Sequence, residues 1–201
     1  AATDPVLLAA ACPAEAGQSV LDLGCGVGAA ALCLGTRVPG LHLAGIELQA
    51  DYADLARRNG AENGQSFSVE TGDLAIMPQA LRRSFDHVIA NPPYYPQRGT
   101  PSPDSGRARA LLIDTPLADW VGAAARRLAP GGWLTMIFGV DGLPQVLGAL
   151  APKMGSARVL PLAAREGRPA LRVILRARKG GRAAFQLLSP FVLHEGPAHD
   201  G

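Results

Sequence analysis

Gln18-Ser19-Val20-Leu21-Asp22-Leu23-Gly24-Cys25-Gly26-Val27-Gly28, followed by the small-residue stretch Ala29 to Leu34, decides how the chain folds. A short apolar run predicts a buried strand, the glycine cluster a tight turn, and the stretch after it a helix. The alternation repeats downstream. Leu41 to Ile46 reads as a second strand ending at Glu47, and Gln49 to Asn63 carries a helical pattern that closes on Asn63-Gly64. Phe67 to Glu70 reads as a third strand running into Thr71-Gly72-Asp73. Phe85 to Ala90 is the fourth, and it must stop there because proline cannot continue a central ladder and Asn91-Pro92-Pro93-Tyr94 follows at once. Pro116 to Leu128 is helical, with Pro116 suited to a first turn. Pro130-Gly131-Gly132 then turns into a fifth strand, Trp133 to Phe138, with a further helix near Leu143 to Leu150.

Strands separated by helices imply right-handed crossovers and a parallel sheet covered on both faces, hence a doubly wound, Rossmann-like α/β architecture. The end of the chain departs from this rule. Ala157 to Pro161 and Leu171 to Arg178 flank the turn-rich Arg165 to Pro169, so the last strands are expected to be antiparallel. In the second of them Leu171, Val173, Leu175 and Ala177 alternate with Arg172, Ile174, Arg176 and Arg178, one apolar face and one largely basic. Tyr95 to Ala110 and the tail from Gly180 lack a regular pattern, and the first is a candidate substrate-binding loop.

The 201 residues suffice for a single domain, residues 1–201, and the 48% apolar and 18% charged content excludes disorder as a description of the whole chain. No run of about 18 apolar residues occurs, and Asp4 and Pro5 interrupt the start where a secretion signal needs a basic head. A cytoplasmic protein without a membrane partner is expected. Cys12, Cys25 and Cys33 form no metal or disulfide spacing, so free, mostly buried thiols and no metal are expected. Residues 1–100 hold 6 basic and 10 acidic side chains, whereas 101–201 hold 13 and 7. The excess sits in Arg158 to Arg182, with seven Arg and one Lys against Glu166 alone. Such a segment is either a surface that meets phosphate or a strand edge defended by charge.

The glycine turn opens a helix whose N-terminus favours polar or anionic groups, so a ligand is expected on Gly24, Gly26 and Gly28. These glycines with Ala29 also complete the pattern of a dinucleotide oxidoreductase. Asp22 shifts the balance, because a carboxylate there attracts an ammonium and repels a pyrophosphate. Glu47 stands at the separation from Gly24 where an acid accepts hydrogen bonds from two ribose hydroxyls, in either cofactor type. Asp73 is placed to accept from an adenine amine, with Leu74 packing on the ring; a simple capping Asp before a short helix is the alternative. In Asn91-Pro92-Pro93-Tyr94, the Asn side-chain oxygen and the Pro92 carbonyl can accept from one NH₂ group, while Pro93 stiffens the turn and Tyr94 offers a ring face. Two acceptors on one amine bias its nitrogen toward tetrahedral geometry and expose the lone pair.

The run Asp22-x-Gly24-x-Gly26-x-Gly28 followed by Asn91-Pro92-Pro93-Tyr94 resembles the class I S-adenosylmethionine-dependent methyltransferases that methylate amines. The resemblance implies a seven-stranded mixed sheet in the order 3-2-1-4-5-7-6, with strand 7 antiparallel. Thr3-Asp4-x-x-Leu7-Leu8, Tyr94-Tyr95, the basic loop to Arg109, Arg178-Lys179-Gly180-Gly181 and Leu193-His194-Glu195-Gly196 resemble the bacterial valine-tRNA adenine N6-methyltransferases, whose implied substrate is adenine 37 beside the anticodon. By this resemblance Asp22 to Gly28 hold the methionine part of S-adenosylmethionine, Glu47 its ribose, and Asp73 with Leu74 its adenine. Asn91 and Pro92 hold the target amine on the catalytic turn that Pro93 stiffens, Asn91 also bordering the cofactor, and Tyr94 stacks on the target base. Thr3 and Asp4 match the segment that closes over the cofactor, and the chain, beginning at Ala1 without Met, is expected to lack part of that lid. Tyr95, Arg98, Arg107 and Arg109 are then placed to grip tRNA beside a flipped base. The oligomeric state is left open.

The same turn also serves methylation of a glutamine amide in a translation factor or of a guanine N2 amine. An oxidoreductase has no role for Asp22 or for the Asn-Pro-Pro-Tyr turn. A silent RNA-binding module has no use for an intact acceptor turn.

Overall fold

A computed structural model describes residues 3–93, 115–151 and 153–194. Its strands are β1 (Ser19–Leu23), β2 (His42–Glu47), β3 (Phe67–Thr71), β4 (Phe85–Ala90), β5 (Leu128–Gly139), β6 (Met154–Ala163), β7 (Arg172–Lys179), β8 (Gln186–Leu187) and β9 (Phe191–Val192). The described helices are α1 (Asp4–Ala11), α2 (Ala29–Arg37), α3 (Ala50–Glu62), α4 (Leu117–Arg127) and α5 (Leu143–Leu150). They build one sheet in the order β3-β2-β1-β4-β5-β7-β6-β8, with β9 also on β6. Strands β1 to β5 pair in parallel, and β7 runs antiparallel between β5 and β6.

Two apolar layers hold the sheet. On one face Leu21, Leu23, Val88, Leu134, Met136 and Val173 pack under α4 and α5. On the other Val20, Ile89, Ile137 and Ile174 pack under α1, α2 and α3. Consecutive residues of one strand, such as Val88 and Ile89, therefore serve opposite cores, which is why these strands read as unbroken apolar runs rather than alternating ones.

The structure corrects the sequence reading in three places. Among the described residues the sheet has nine strands rather than seven, because the tail beyond Gly180 adds β8 and β9 to the outer side of β6, through bonds such as Leu188 N–H to the Val159 carbonyl at 2.8 Å and Leu193 N–H to that of Ala163 at 2.9 Å. Two-residue strands carry no periodicity to read. The fifth strand starts at Leu128, before the Pro130-Gly131-Gly132 turn, because Phe85 already pairs with Leu128 ahead of a register shift. Leu171 is 70% exposed and Ile174 buried, so the apolar face of β7 begins at Val173 and the other face is only partly basic.

Candidate active site

All five parallel strands point their carboxyl ends to one edge of the sheet, and the loops after β1 and β4 part there because the chain winds away from these neighbours in opposite directions. The crevice holds a cavity of about 670 Å³. The ends of β1, β2, β3 and β4 contribute to its wall.

After β1 come Gly24 and Gly26, both left-handed, at φ +63° and +54°. A Cβ on Gly24 would stand 2.5 Å from Trp120 Cη2, so the bare backbone is what lets α4 close the wall with its indole. A Cβ on Gly26 would meet nothing within 4 Å. At the end of β2 stands Glu47, 7% exposed, whose Oε2 accepts from Gly26 N–H and Oε1 from Gln49 N–H, both at 2.9 Å. These bonds lock the carboxylate rotamer and leave each oxygen a lone pair. After β3 come Gly72, Asp73 and Leu74. Asp73 Oδ1 accepts from Ala75 N–H at 2.8 Å, so the capping alternative holds, yet the same side chain lines the cavity. After β4 come Asn91 and Pro93, with Pro92 buried between them. Two consecutive prolines remove two N–H donors, so this turn presents acceptors unopposed.

The structure thus brings Gly24, Gly26, Glu47, Asp73, Leu74, Asn91 and Pro93 around one space. It does not bring the others there. Asp22 is 2% exposed and sits beneath the turn, where burial and then the Glu47 carboxylate push it up to about 8, opposed by a bond from Ala31 N–H. Gly28 opens α2 and makes room for Phe67, whose Cε1 would be 2.9 Å from a Cβ. Thr3 precedes α1, its carbonyl accepting from Val6 and Leu7 N–H, and Asp4 pairs with Arg172 Nε at 2.8 Å on β7; neither lines the cavity. Tyr94, Tyr95, Arg98, Arg107 and Arg109 lie outside the described residues. The sequence reading missed Trp120, which no local pattern marks, and Leu48, Asp51 and Tyr52, which line the cavity and whose position just after Glu47 was a usable signal.

None of the three cysteines lines the cavity. Burial pushes Cys12 up to about 11, and burial, Asp22 and Glu47 push Cys25 higher still. Among the described residues no three His, Cys, Asp or Glu gather as metal ligands, and no helix is long and apolar enough to cross a membrane.

Residues 3–147 match the family described as the methyltransferase small domain. The chain belongs to that family. One relative of this methyltransferase, the tRNA1(Val) (adenine(37)-N6)-methyltransferase of Dickeya chrysanthemi, is 28% identical over 192 residues, which cover 93% of the chain and 76% of the relative. The protein of the same name from Porphyromonas gingivalis is 32% identical over 145 residues, 67% of the chain and 56% of the relative. The chain is therefore shorter than both. A solved structure from Agrobacterium tumefaciens, described as a predicted O-methyltransferase, is 25% identical with a TM-score of 0.80, covering 98% of this chain and 90% of that one.

The cofactor of this methyltransferase fold is S-adenosylmethionine. The cavity fits it in three respects: the open space over Gly26 admits a ligand against the backbone, the locked Glu47 carboxylate has lone pairs to spare for hydroxyls, and Asp73 lies beside the apolar Leu74.

Proposed function

We propose that the protein transfers a methyl group to N6 of an adenine in tRNA, at position 37 of a valine tRNA, in the cytoplasm. The single observation that supports this reading best is the Asn91-Pro92-Pro93 turn at the edge of the cofactor cavity. The names of the relatives from Dickeya and Porphyromonas support tRNA as the substrate.

Bound S-adenosylmethionine supplies an electrophilic methyl on a sulfonium. The chain's residues do the rest. Glu47 accepts from the cofactor's ribose, Asp73 from its adenine amine with Leu74 against the ring, and the backbone at Gly24 and Gly26 takes the methionine part. Asn91 Oδ1 and the Pro92 carbonyl accept the two hydrogens of the target amine. In free adenine that nitrogen's lone pair is delocalised into the ring; two acceptors on its hydrogens favour the pyramidal form that has a directed lone pair. Holding the amine in line with the methyl is worth up to roughly 7–11 kcal/mol in oriented systems, which is why no separate nucleophile is needed. Tyr94 stacks on the extruded base, and Tyr95, Arg98, Arg107 and Arg109 hold the RNA around it.

The test is transfer of tritium-labelled methyl from the cofactor to unmodified valine tRNA and, in parallel, to a translation release factor, with nucleoside mass spectrometry of the product. Label in N6-methyladenosine at position 37 is expected. Label in the protein alone, or on a hydroxyl oxygen, overturns the reading.

A further inference from the structure

The eight cations between Arg158 and Arg182 divide in the fold. Arg178 Nε donates to the Gly131 carbonyl at 2.9 Å with its guanidinium over the Trp133 ring, Lys179 donates to the Leu128 carbonyl at 2.6 Å, and Arg172 pairs with Asp4. Those three stitch β7 to its neighbours. Arg158 and Arg176 are different: they face each other directly across the β6–β7 ladder. Among the described residues Arg176 reaches only the Ala11 carbonyl, at 3.4 Å, and neither arginine has an anionic partner. Like charges directly opposite on a ladder destabilise it. Edge protection does not explain the pair, because β7 is interior and β8 and β9 cover the outer side of β6.

The pair lies on the sheet face that carries α1, since Arg176 reaches α1, and Phe191 lies on that face too, opposite Leu162, with 51% of its surface exposed. At the carboxyl edge, the β6–β7 loop holds Arg168 exposed. That edge is also where Asn91 emerges. Arg176 is level, through Thr135, with Ile89, two residues before Asn91. Arg158 is one strand further out, three ladder spacings or about 14 Å from β4.

We propose that this face, Arg158 and Arg176 with Arg168 and Phe191, is a docking surface for the phosphodiester backbone of the RNA on one side of the target base, Phe191 offering its ring to an unpaired base. An external polyanion is what relieves a guanidinium pair that the fold itself leaves uncompensated. The inference rests on the reading of RNA as substrate.

The test is Arg158→Glu, with Arg168→Glu as a second variant. Glu opposite Arg176 replaces a like pair by an opposite one, so Arg158→Glu is expected to melt no lower than the wild type and to bind S-adenosylmethionine equally well. Its affinity for unmodified valine tRNA is expected to fall about tenfold, with the slope of log affinity against log salt shallower by about one. Wild-type affinity and slope in both variants overturn the docking surface while leaving the methylation of tRNA standing. A wild-type protein that binds the cofactor but neither binds nor methylates RNA overturns both. Methylation of a release factor that Arg158→Glu impairs assigns the face to an acidic protein and overturns the proposal.

Discussion

Gly26 N–H donates to Glu47 Oε2 at 2.9 Å, and this bond ties the turn after β1 to the end of β2 across the floor of the cavity. Each carboxylate oxygen spends one lone pair on a backbone N–H and keeps the other, and Glu47 lines the cavity. Glu47→Gln keeps one acceptor but turns an NH₂ toward one of the two backbone donors. Its affinity for S-adenosylmethionine is expected to drop about tenfold or more, with a loss of about 1–2 kcal/mol in stability from the unsatisfied N–H. Calorimetric titration and thermal melting read the two effects separately.

Gly24 and Gly26 share a left-handed backbone but not surroundings, so alanine there should act on different properties. Gly26→Ala incurs about 1 kcal/mol of backbone strain and projects its methyl into open cavity, so it should fold and lose cofactor affinity. Gly24→Ala drives its methyl into the Trp120 ring, which must move with α4, and should cost about 2–4 kcal/mol. Pairing it with Trp120→Leu should recover part of that loss, and a double-mutant cycle by thermal melting measures the coupling.

Strand ends and the polar residues at them are legible because parallel winding sends every carboxyl end to one edge, so the sequence alone places Glu47, Asp73 and Asn91 together. What depends on distant packing was not legible. Gly28 reads like its two neighbours, yet its missing side chain serves Phe67 from β3. Asp4 reads as part of a cofactor lid, but its partner Arg172 lies 168 residues away on a strand whose position only the sheet order reveals. Trp120 reads as an ordinary apolar helix residue, and only the approach of α4 to the Gly24 turn makes it a wall.

Asp22 makes stability depend on pH in an unusual direction. Its folded-state value, about 8, lies above the ordinary 3.8, so the folded protein keeps a proton that the unfolded chain releases. The resulting stabilisation is complete below pH about 4 and is lost as pH rises toward and through about 8. The ligand-free wild type should therefore lose stability between these limits relative to Asp22→Asn, whose amide stays neutral and still accepts from Ala31 N–H. Melting curves of both proteins across pH isolate the Asp22 contribution from the opposing ones of Asp86 and His87, whose values are lowered. Coincident pH profiles would remove Asp22 as the cause.

Asn91 separates binding from chemistry. It stands at the rim of the cavity on a turn whose two prolines hold its backbone without help from its side chain, so Asn91→Ala leaves the fold and most of the cofactor contacts in place. On the proposed mechanism what disappears is one of two acceptors on the target amine, and with it both the alignment and the pyramidal bias of the nitrogen. Turnover is expected to fall by about 10²-fold or more, the order that misplacing a reacting group costs, with cofactor affinity changed little. Asn91→Asp keeps an acceptor oxygen at the same position and should retain more activity than alanine, its charge favouring an amine that gains positive character as the new bond forms. Single-turnover rates with unmodified tRNA, set beside cofactor titrations of the same proteins, distinguish this pattern from simple loss of binding. Near-normal turnover in Asn91→Ala would show that the acceptor turn does not carry the reaction.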